Sequence, residues 1–407
     1  MTPRIRTLMN GNITVLVLRL ISILLQLLYI KLYTHFLDVD ELGRYFYLIA
    51  LSYSANALIF VPLDYFQQAK LVKFYDQAIP ARSLIRLNLT ASLLALIFLL
   101  LAGISFWQFG KINFSEIPEI FLYSLLFHIC SASRNLLNNV GRKTFVAVML
   151  ITETSLRSSL FWTFGKITDA SADVLFKTSL LALLIETVVI AVFLRKFLNL
   201  KWVEDDLFSF SKAVKEASPI SFSAVCNWLQ VQSYRLIYVT LGFASTAGVY
   251  ATVANVGSVG MNAVAQIAAQ ILNPRLYISR GTFLKKYVLI SILLVASVLT
   301  GFGILGKFTL SILTKPEFEA YWEILLLGAS TEGFNFIIGI LTTYLTIASR
   351  ANVLILANLL GVLVAAGGFY AVYLYDIANW YLVGVPIVGS QAAVCAYLLF
   401  LTRKQFR

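Results

Sequence analysis

Apolar runs of about 20 residues recur along the whole chain, separated by short polar turns. Each is long enough to cross a hydrocarbon core of roughly 30 Å as a helix. A lipid-facing strand needs shorter segments of alternating polarity, and those are absent. In lipid the backbone must bond within its own segment, so the runs predict helices. Twelve are expected. In the first half they cover residues 12–35, 43–64, 84–107, 117–138, 144–165 and 174–194. In the second half they cover residues 216–240, 248–272, 286–306, 321–345, 352–374 and 381–402. The short connections predict antiparallel packing of consecutive helices, and the fold class is an all-α polytopic membrane protein.

The polar positions carry an internal echo. Tyr29, Tyr33, Gly43 and Tyr45 recur as Tyr234, Tyr238, Gly248 and Tyr250 at a constant offset of 205 residues, about half of the 407-residue chain. Each copy ends one apolar run, turns, and begins the next, which indicates a duplication. The longest connection, 195–215, contains Glu204-Asp205-Asp206 and Lys212 and falls between the sixth and seventh runs. The expected organisation is therefore an N-terminal six-helix lobe (1–195), a cytoplasmic linker (196–215) and a C-terminal six-helix lobe (216–407). Six helices per copy keep both copies in one orientation. The two repeats are then parallel, related by an axis along the membrane normal, with a central cleft between them.

Composition sharpens the class. Hydrophobic residues make up 59% of the chain and charged residues 13%, and the mean hydropathy is +0.82. A soluble domain carries about a quarter charged residues, so a soluble protein is excluded. A net charge of +12 can signal nucleic-acid binding, but here the cations segregate by loop. One side, which includes Arg4, Arg6, Lys70, Lys73, Arg82, Arg86, Lys404 and Arg407, holds about 21 Lys and Arg against about 7 on the other. That side is expected to be cytoplasmic and to hold both termini, with no nucleic-acid partner. The first run follows Arg4 and Arg6 and continues to Tyr33 without a small-residue cleavage pattern, so it is expected to remain as a span. Cys130, Cys226 and Cys395 lie far apart inside apolar runs, which predicts buried thiols and neither disulfides nor metal ligands.

Soluble-enzyme motifs are missing. Gly301-Phe-Gly303-Ile-Leu-Gly306 matches a dinucleotide fingerprint as a string, but no strand precedes it, and small residues there suit close helix packing. There is no P-loop, paired-histidine metal motif or nucleophile elbow, and His35 and His128 are the only histidines. No cofactor, metal or catalytic residue is expected.

The informative residues are ionisable groups inside spans, each costing about 2.5–3.5 kcal/mol at the bilayer centre unless paired or hydrated. Arg19 and Arg235 lie in corresponding spans of the two halves. Each could bind substrate or snorkel to a headgroup. Glu153 and Arg157 stand four apart, so they could neutralise each other or face a cavity. Arg134 is near enough to its helix end to snorkel. Glu186 and Glu332 have no cation three or four residues away on their own helices. Uncharged polar residues concentrate in the second span, with Ser52, Ser54 and Asn56, and in the eighth, with Asn255, Ser258, Asn262, Gln266 and Gln270. These could line a polar cleft or bond helix to helix. The candidate substrate-binding residues are Arg19, Asn56, Arg157, Arg235, Asn255, Asn262 and Gln266. Candidates for proton or ion coupling are Glu153, Glu186 and Glu332.

Leu42-Gly43-Arg-Tyr45, Lys215-Glu-Ala-Ser-Pro219, Tyr234-Arg235, Gly242 and Gly248-Val-Tyr250 carry a resemblance to the Wzx-type O-antigen flippases. These form the polysaccharide-transporter branch of the MATE-like (MOP) superfamily. Tyr234 stands where that family shows an acidic residue. The resemblance implies a carrier, not an enzyme, in the bacterial inner membrane. It would move an undecaprenyl-pyrophosphate-linked oligosaccharide from the cytoplasmic to the periplasmic leaflet by alternating access. It also points to contact with other membrane proteins of polysaccharide assembly. Arg19 and Arg235 would grip the pyrophosphate, since guanidinium groups bind phosphate oxygens bidentately. Two alternatives stay open: an exporter of small solutes or drugs of the MATE-like or major-facilitator type, and an O-antigen polymerase or ligase.

Overall fold

The computed structural model describes residues 3–71, 79–139, 141–197, 200–203, 205, 208–348, 350 and 352–403. Lys73, Glu204, Asp206, Lys404 and Arg407, named above, lie outside the described residues, as do the side chains of Arg4, Arg6 and Pro219. The chain is helical wherever the apolar runs predict it. Helix α1 (Pro3–Phe36) leads to α2 (Val39–Ala55), a π-helical turn (Asn56–Phe60) and α3 (Val61–Leu71). Then come α4 (Ala81–Gln108), α5 (Glu116–Asn139), α6 (Lys143–Ile167) and α7 (Ala172–Phe197). The rest of the chain forms α8 (Phe210–Val231), α9 (Ser233–Thr240), α10 (Ala244–Ile278), α11 (Leu284–Leu313), α12 (Trp322–Ile347), α13 (Val353–Tyr375) and α14 (Trp380–Thr402). A 3-10 turn (Pro316–Tyr321) precedes α12. The single sheet among the described residues is a two-residue parallel pairing of β1 (Ile79–Pro80) with β2 (Leu200–Lys201).

Among the described residues, nine helical stretches are long and apolar enough to cross a membrane. The runs expected at 144–165, 216–240 and 248–272 are also helical, as α6, α8 with α9, and α10. They are not among the nine. Charged and amide side chains such as Glu153, Arg157, Arg235, Asn255 and Asn262 reduce their apolarity. Length and apolarity therefore support nine of the twelve expected spans. Several of the nine present broad apolar faces, including Leu89, Leu93 and Leu101 on α4 and Leu293 and Ile304 on α11. Faces of that extent suit lipid, not water.

The chain forms two compact units, residues 1–25 with 47–225 and residues 26–46 with 226–407. In the first, α4 buries Leu87, Ala91, Ala95 and Leu99 at four-residue spacing. One turn further, Gly103 lets the helix approach Ile117 of α5. In the second, Leu272, Leu276, Tyr287, Leu341, Leu345, Ala357 and Leu398 from α10 to α14 form a continuous core. There the α10 and α12 backbones touch at Gly257 and Gly328, where a Cβ would strike Leu325 O and Ala254 O respectively.

The tyrosine–glycine echo has a physical counterpart within the second unit. All six of its tyrosines are buried. Tyr29 packs on Tyr33 at 5.4 Å, Tyr33 on Tyr45 at 6.3 Å and Tyr234 on Tyr250 at 5.1 Å between ring centroids. The two glycines form a reciprocal contact. A Cβ at Gly43 would meet Ala244 O, and one at Gly248 would meet Val39 O. Val39 and Ala244 are themselves 205 residues apart. The four residues of this contact, Val39, Gly43, Ala244 and Gly248, thus stand in two pairs at the same offset. The Gly301-to-Gly306 string lies inside α11 with no strand before it. Only Gly306 packs closely, against Trp322, while Gly301 and Gly303 have nothing within 4 Å.

Gly43→Leu and Gly248→Leu are each expected to lower the thermal unfolding midpoint of detergent-solubilised protein, reflecting about 1–3 kcal/mol of overpacking. Gly301→Leu, on an open face, should stay within about 0.5 kcal/mol of the parent. Equal midpoints for all three variants would contradict the reciprocal contact.

Candidate functional site

Residues from α8, α9, α10, α12 and α14 of the second unit enclose a cavity of about 100 Å³. Its polar lining comprises Gln232, Tyr234, Arg235, Tyr250, Asn255, Ser258, Thr331 and Glu332. Two of the expected binding residues, Arg235 and Asn255, and one expected coupling residue, Glu332, thus share one wall system. The break between α8 and α9 at Gln232 places Arg235 one turn into a new helix. Its guanidinium lies 4.9 Å from the Phe46 ring centroid and 5.5 Å from that of Tyr234. Its Nε donates to Tyr234 Oη at 3.0 Å. These contacts hold the cation against aromatic faces and leave its two terminal nitrogens to meet a ligand. Among the described residues no carboxylate lies within 4.0 Å of it. Glu332 hydrogen-bonds Asn335 on its own helix. Asn255 Nδ2 donates to Tyr33 Oη at 3.5 Å, and Ser258 Oγ donates to Gly328 O at 3.2 Å.

From Asn255 a polar stripe continues along α10. Asn262 and Gln266 lie seven and eleven residues on, which brings them to the same helical face. Both are exposed, and Gln266 Nε2 donates to Asn262 Oδ1 at 3.3 Å. Exposed carboxamides are poor neighbours for hydrocarbon, so this face suits water or a polar ligand.

The other candidates belong to the first unit. Arg134 of α5, Glu153 and Arg157 of α6 and Glu186 of α7 converge there. Arg157 Nη2 pairs with Glu153 Oε1 at 2.5 Å across one helical turn. Arg134 Nη1 pairs with Glu153 Oε2 and lies 3.5 Å from Glu186 Oε1. Arg134 is therefore turned inward and buried instead of snorkelling to a headgroup. Glu186 is only 1% exposed, so its carboxyl depends on Arg134. Two cations and two carboxyl groups balance one another, which is the arrangement of a structural network. Arg19 of α1 is half-buried and within electrostatic range of Arg134. Asn56 is buried in the π-helical turn, and its Nδ2 donates to Ser124 Oγ at 2.9 Å and to Ser124 O at 3.3 Å, tying that turn to α5.

One polar group escaped the sequence reading. The expected second span ends at residue 64, yet α3 continues the helix to Leu71. Asp64 and Gln67 are consequently buried beside His128 and Asn88. The signal was present in the spacing, because Asp64, Gln67 and Gln68 alternate with apolar residues at helical intervals. The three cysteines are buried and free, and among the described residues no group of three or more His, Cys, Asp or Glu side chains could hold a metal.

Arg134→Ala is expected to cost about 3–5 kcal/mol, the penalty for a buried charge left without its partner. Combining it with Glu186→Gln should recover part of that loss in thermal unfolding of the solubilised protein. An Arg134→Ala protein as stable as the parent would show that the cluster is not a coupled network.

No protein-family model matches the chain, and no curated protein matches it in sequence. Its fold has clear relatives among solved structures. The chain superimposes on the inward-facing conformation of a multidrug resistance MATE family transporter of the MOP superfamily with a TM-score of 0.63 and 12% identity, covering 96% of this chain and 98% of that one. A MATE in complex with MaL6 gives a TM-score of 0.62 at 11% identity, over 97% and 96% of the two chains. The outward-facing conformation of a multidrug resistance MATE transporter gives 0.59 at 10% identity, over 97% and 95%. The chain has the fold of the MATE transporters of the MOP superfamily, a fold built from membrane-spanning helices.

Proposed function

We propose that the protein is a membrane transporter whose substrate carries a strong anion, and specifically a flippase for undecaprenyl-pyrophosphate-linked oligosaccharide. In this reading the twelve expected spans form two six-helix repeats around a central cleft. The protein resides in the bacterial inner membrane with both termini cytoplasmic. It carries its substrate from the cytoplasmic to the periplasmic leaflet by alternating access and is not an enzyme. One observation carries the choice of substrate class. Arg235 stands in a cavity against the Phe46 and Tyr234 rings, its Nε occupied and, among the described residues, no carboxylate within 4.0 Å. A half-buried cation without a counter-ion is disfavoured, and a pyrophosphate would supply one while accepting the guanidinium fork. The exposed carboxamides of Asn262 and Gln266 along α10 suit sugar hydroxyls. The polyprenyl tail would remain in lipid.

A second reading is favoured by one residue in the same cavity. Glu332 could receive an organic cation, as an exporter of the MATE type would require. The two readings differ in which side chain is indispensable. With labelled lipid-linked oligosaccharide in proteoliposomes, Arg235→Ala is expected to slow leaflet exchange about tenfold or more, matching the roughly 1.5–3 kcal/mol of a hydrogen bond to a charged group. Arg235→Lys should fall between the two, since it keeps the charge and loses the fork. Unchanged exchange in Arg235→Ala at equal protein abundance would refute the anion site. Efflux of an organic cation abolished by Glu332→Gln would favour the exporter.

A further inference from the structure

Helices α3, α4 and α5 of the first unit enclose a set of polar groups that neither the arginine–glutamate network nor the Arg235 cavity uses. Asp64 is 7% exposed and His128 4% exposed. His128 Nδ1 lies 3.1 Å from Asp64 Oδ1, and neither atom has another hydrogen-bond partner among the described residues. On the opposite edge of the ring, His128 Nε2 lies 3.3 Å from Asn88 Oδ1.

The neighbours of Asn88 decide where the imidazole protons sit. Asn88 Nδ2 donates to Leu84 O at 2.8 Å, which turns its Oδ1 toward the ring. Gln67 Nε2 donates to the same oxygen at 3.1 Å. An amide oxygen only accepts, so His128 Nε2 must be the donor in this contact. With Nε2–H assigned, one proton remains to be placed between Nδ1 and the Asp64 carboxyl. Whichever atom holds it, the pair is neutral overall, as imidazolium with carboxylate or as imidazole with carboxylic acid. Removing it leaves a net charge of −1, and adding a second gives +1. Buried surroundings oppose both charged states.

Among the described residues no other charged side chain lies within 4.0 Å of Asp64 or His128. On α3, Lys70 pairs with Glu216 at 2.9 Å. On α4, Arg82 and Arg86 are exposed. On α5, α6 and α7, Arg134, Glu153, Arg157 and Glu186 are engaged with one another. The π-helical turn has no charged residue, but it supplies Phe60, whose ring stacks on His128 at 4.3 Å and 12° between planes. That turn is closed by Val61 N–H bonding to Asn56 O, one residue further back than an α-helical bond. Such turns concentrate at functional sites and at points where a helix changes its bend.

We propose that Asp64 and His128 form a membrane-buried proton-binding site, positioned by Asn88 and Gln67, and that its occupancy sets the geometry of the π-helical turn at 56–60 through Phe60. The site does not depend on which substrate the transporter carries. A carrier that loses or gains this proton during its cycle has a direct mechanical link from the proton to the span containing α2 and α3.

The two histidines make the site directly observable. Protein labelled with ¹⁵N only at histidine has two ring systems, and exposed His35 serves as the internal reference. Nuclear magnetic resonance of this sample in lipid should show His128 Nε2 protonated, as its contact with an amide oxygen requires. The Nδ1 signal should lie between those of a free acceptor nitrogen and a full N–H, and Asp64→Asn should shift it to the acceptor position. In a second sample carrying ¹⁵N at phenylalanine, the assigned backbone amide signal of Phe60 should move in Asp64→Asn and stay in Asn262→Ala, which lies in the other unit. A His128 with Nε2 unprotonated, or an Nδ1 signal identical in the parent and Asp64→Asn, would overturn the proton site. A Phe60 signal unmoved by Asp64→Asn would overturn the coupling to the turn. If the variant fails to fold, the parent's Nε2 and Nδ1 signals alone decide the first point. Failure of oligosaccharide transport would leave these signals unchanged, so the two proposals can fail separately.

Discussion

A charged or hydrogen-bonding group cannot be left unmatched in hydrocarbon, and that constraint orders the interior of this protein. The apolar runs satisfy their backbones as helices. The ionisable side chains within them then have few options: partner across helices, meet water, or wait for a ligand. In the first unit the first option prevails. Arg134 pairs with Glu153 and Glu186 and so draws α5, α6 and α7 together, while Arg157 pairs with Glu153 within α6. Such a network does little for net stability compared with apolar packing, but breaking one member of it is costly.

The second unit treats its cation differently. Arg235 is held by aromatic faces and a tyrosine oxygen, which fix its orientation without neutralising it. That difference separates a structural charge from a candidate binding charge more clearly than depth in the span does. Glu332 lines the same cavity, so a carboxyl and a guanidinium group stand in one wall. The fold itself is compatible with either substrate class, since its solved relatives match at only 10–12% identity.

Much of the architecture was legible because the relevant signals are local. A run of about 20 apolar residues predicts a helix from its own composition. The tyrosine–glycine offset marked the residues that make the reciprocal Gly43–Gly248 contact. The limits have physical causes. Arg134 looked able to snorkel because its partners, Glu153 and Glu186, come from other helices. Asn56 looked like a cleft residue, yet its amide bonds Ser124 of α5. Asp64 closed the expected second span and Gln67 fell beyond it, because polarity near a span's end usually marks water. Here α3 stays helical, and α4 and α5 supply the polar neighbours. What one helix does follows from its sequence, whereas what a side chain faces depends on the helix beside it.

The central claim is that Arg235 marks a site for an anion. Its most direct test is ligand-induced stabilisation of purified protein by two probes of opposite charge, an undecaprenyl-pyrophosphate-linked saccharide and an organic cation. The account predicts that the pyrophosphate lipid raises the unfolding midpoint of the parent protein and leaves Arg235→Ala unmoved. Stabilisation by the cation alone, unaffected by loss of Arg235, would contradict it.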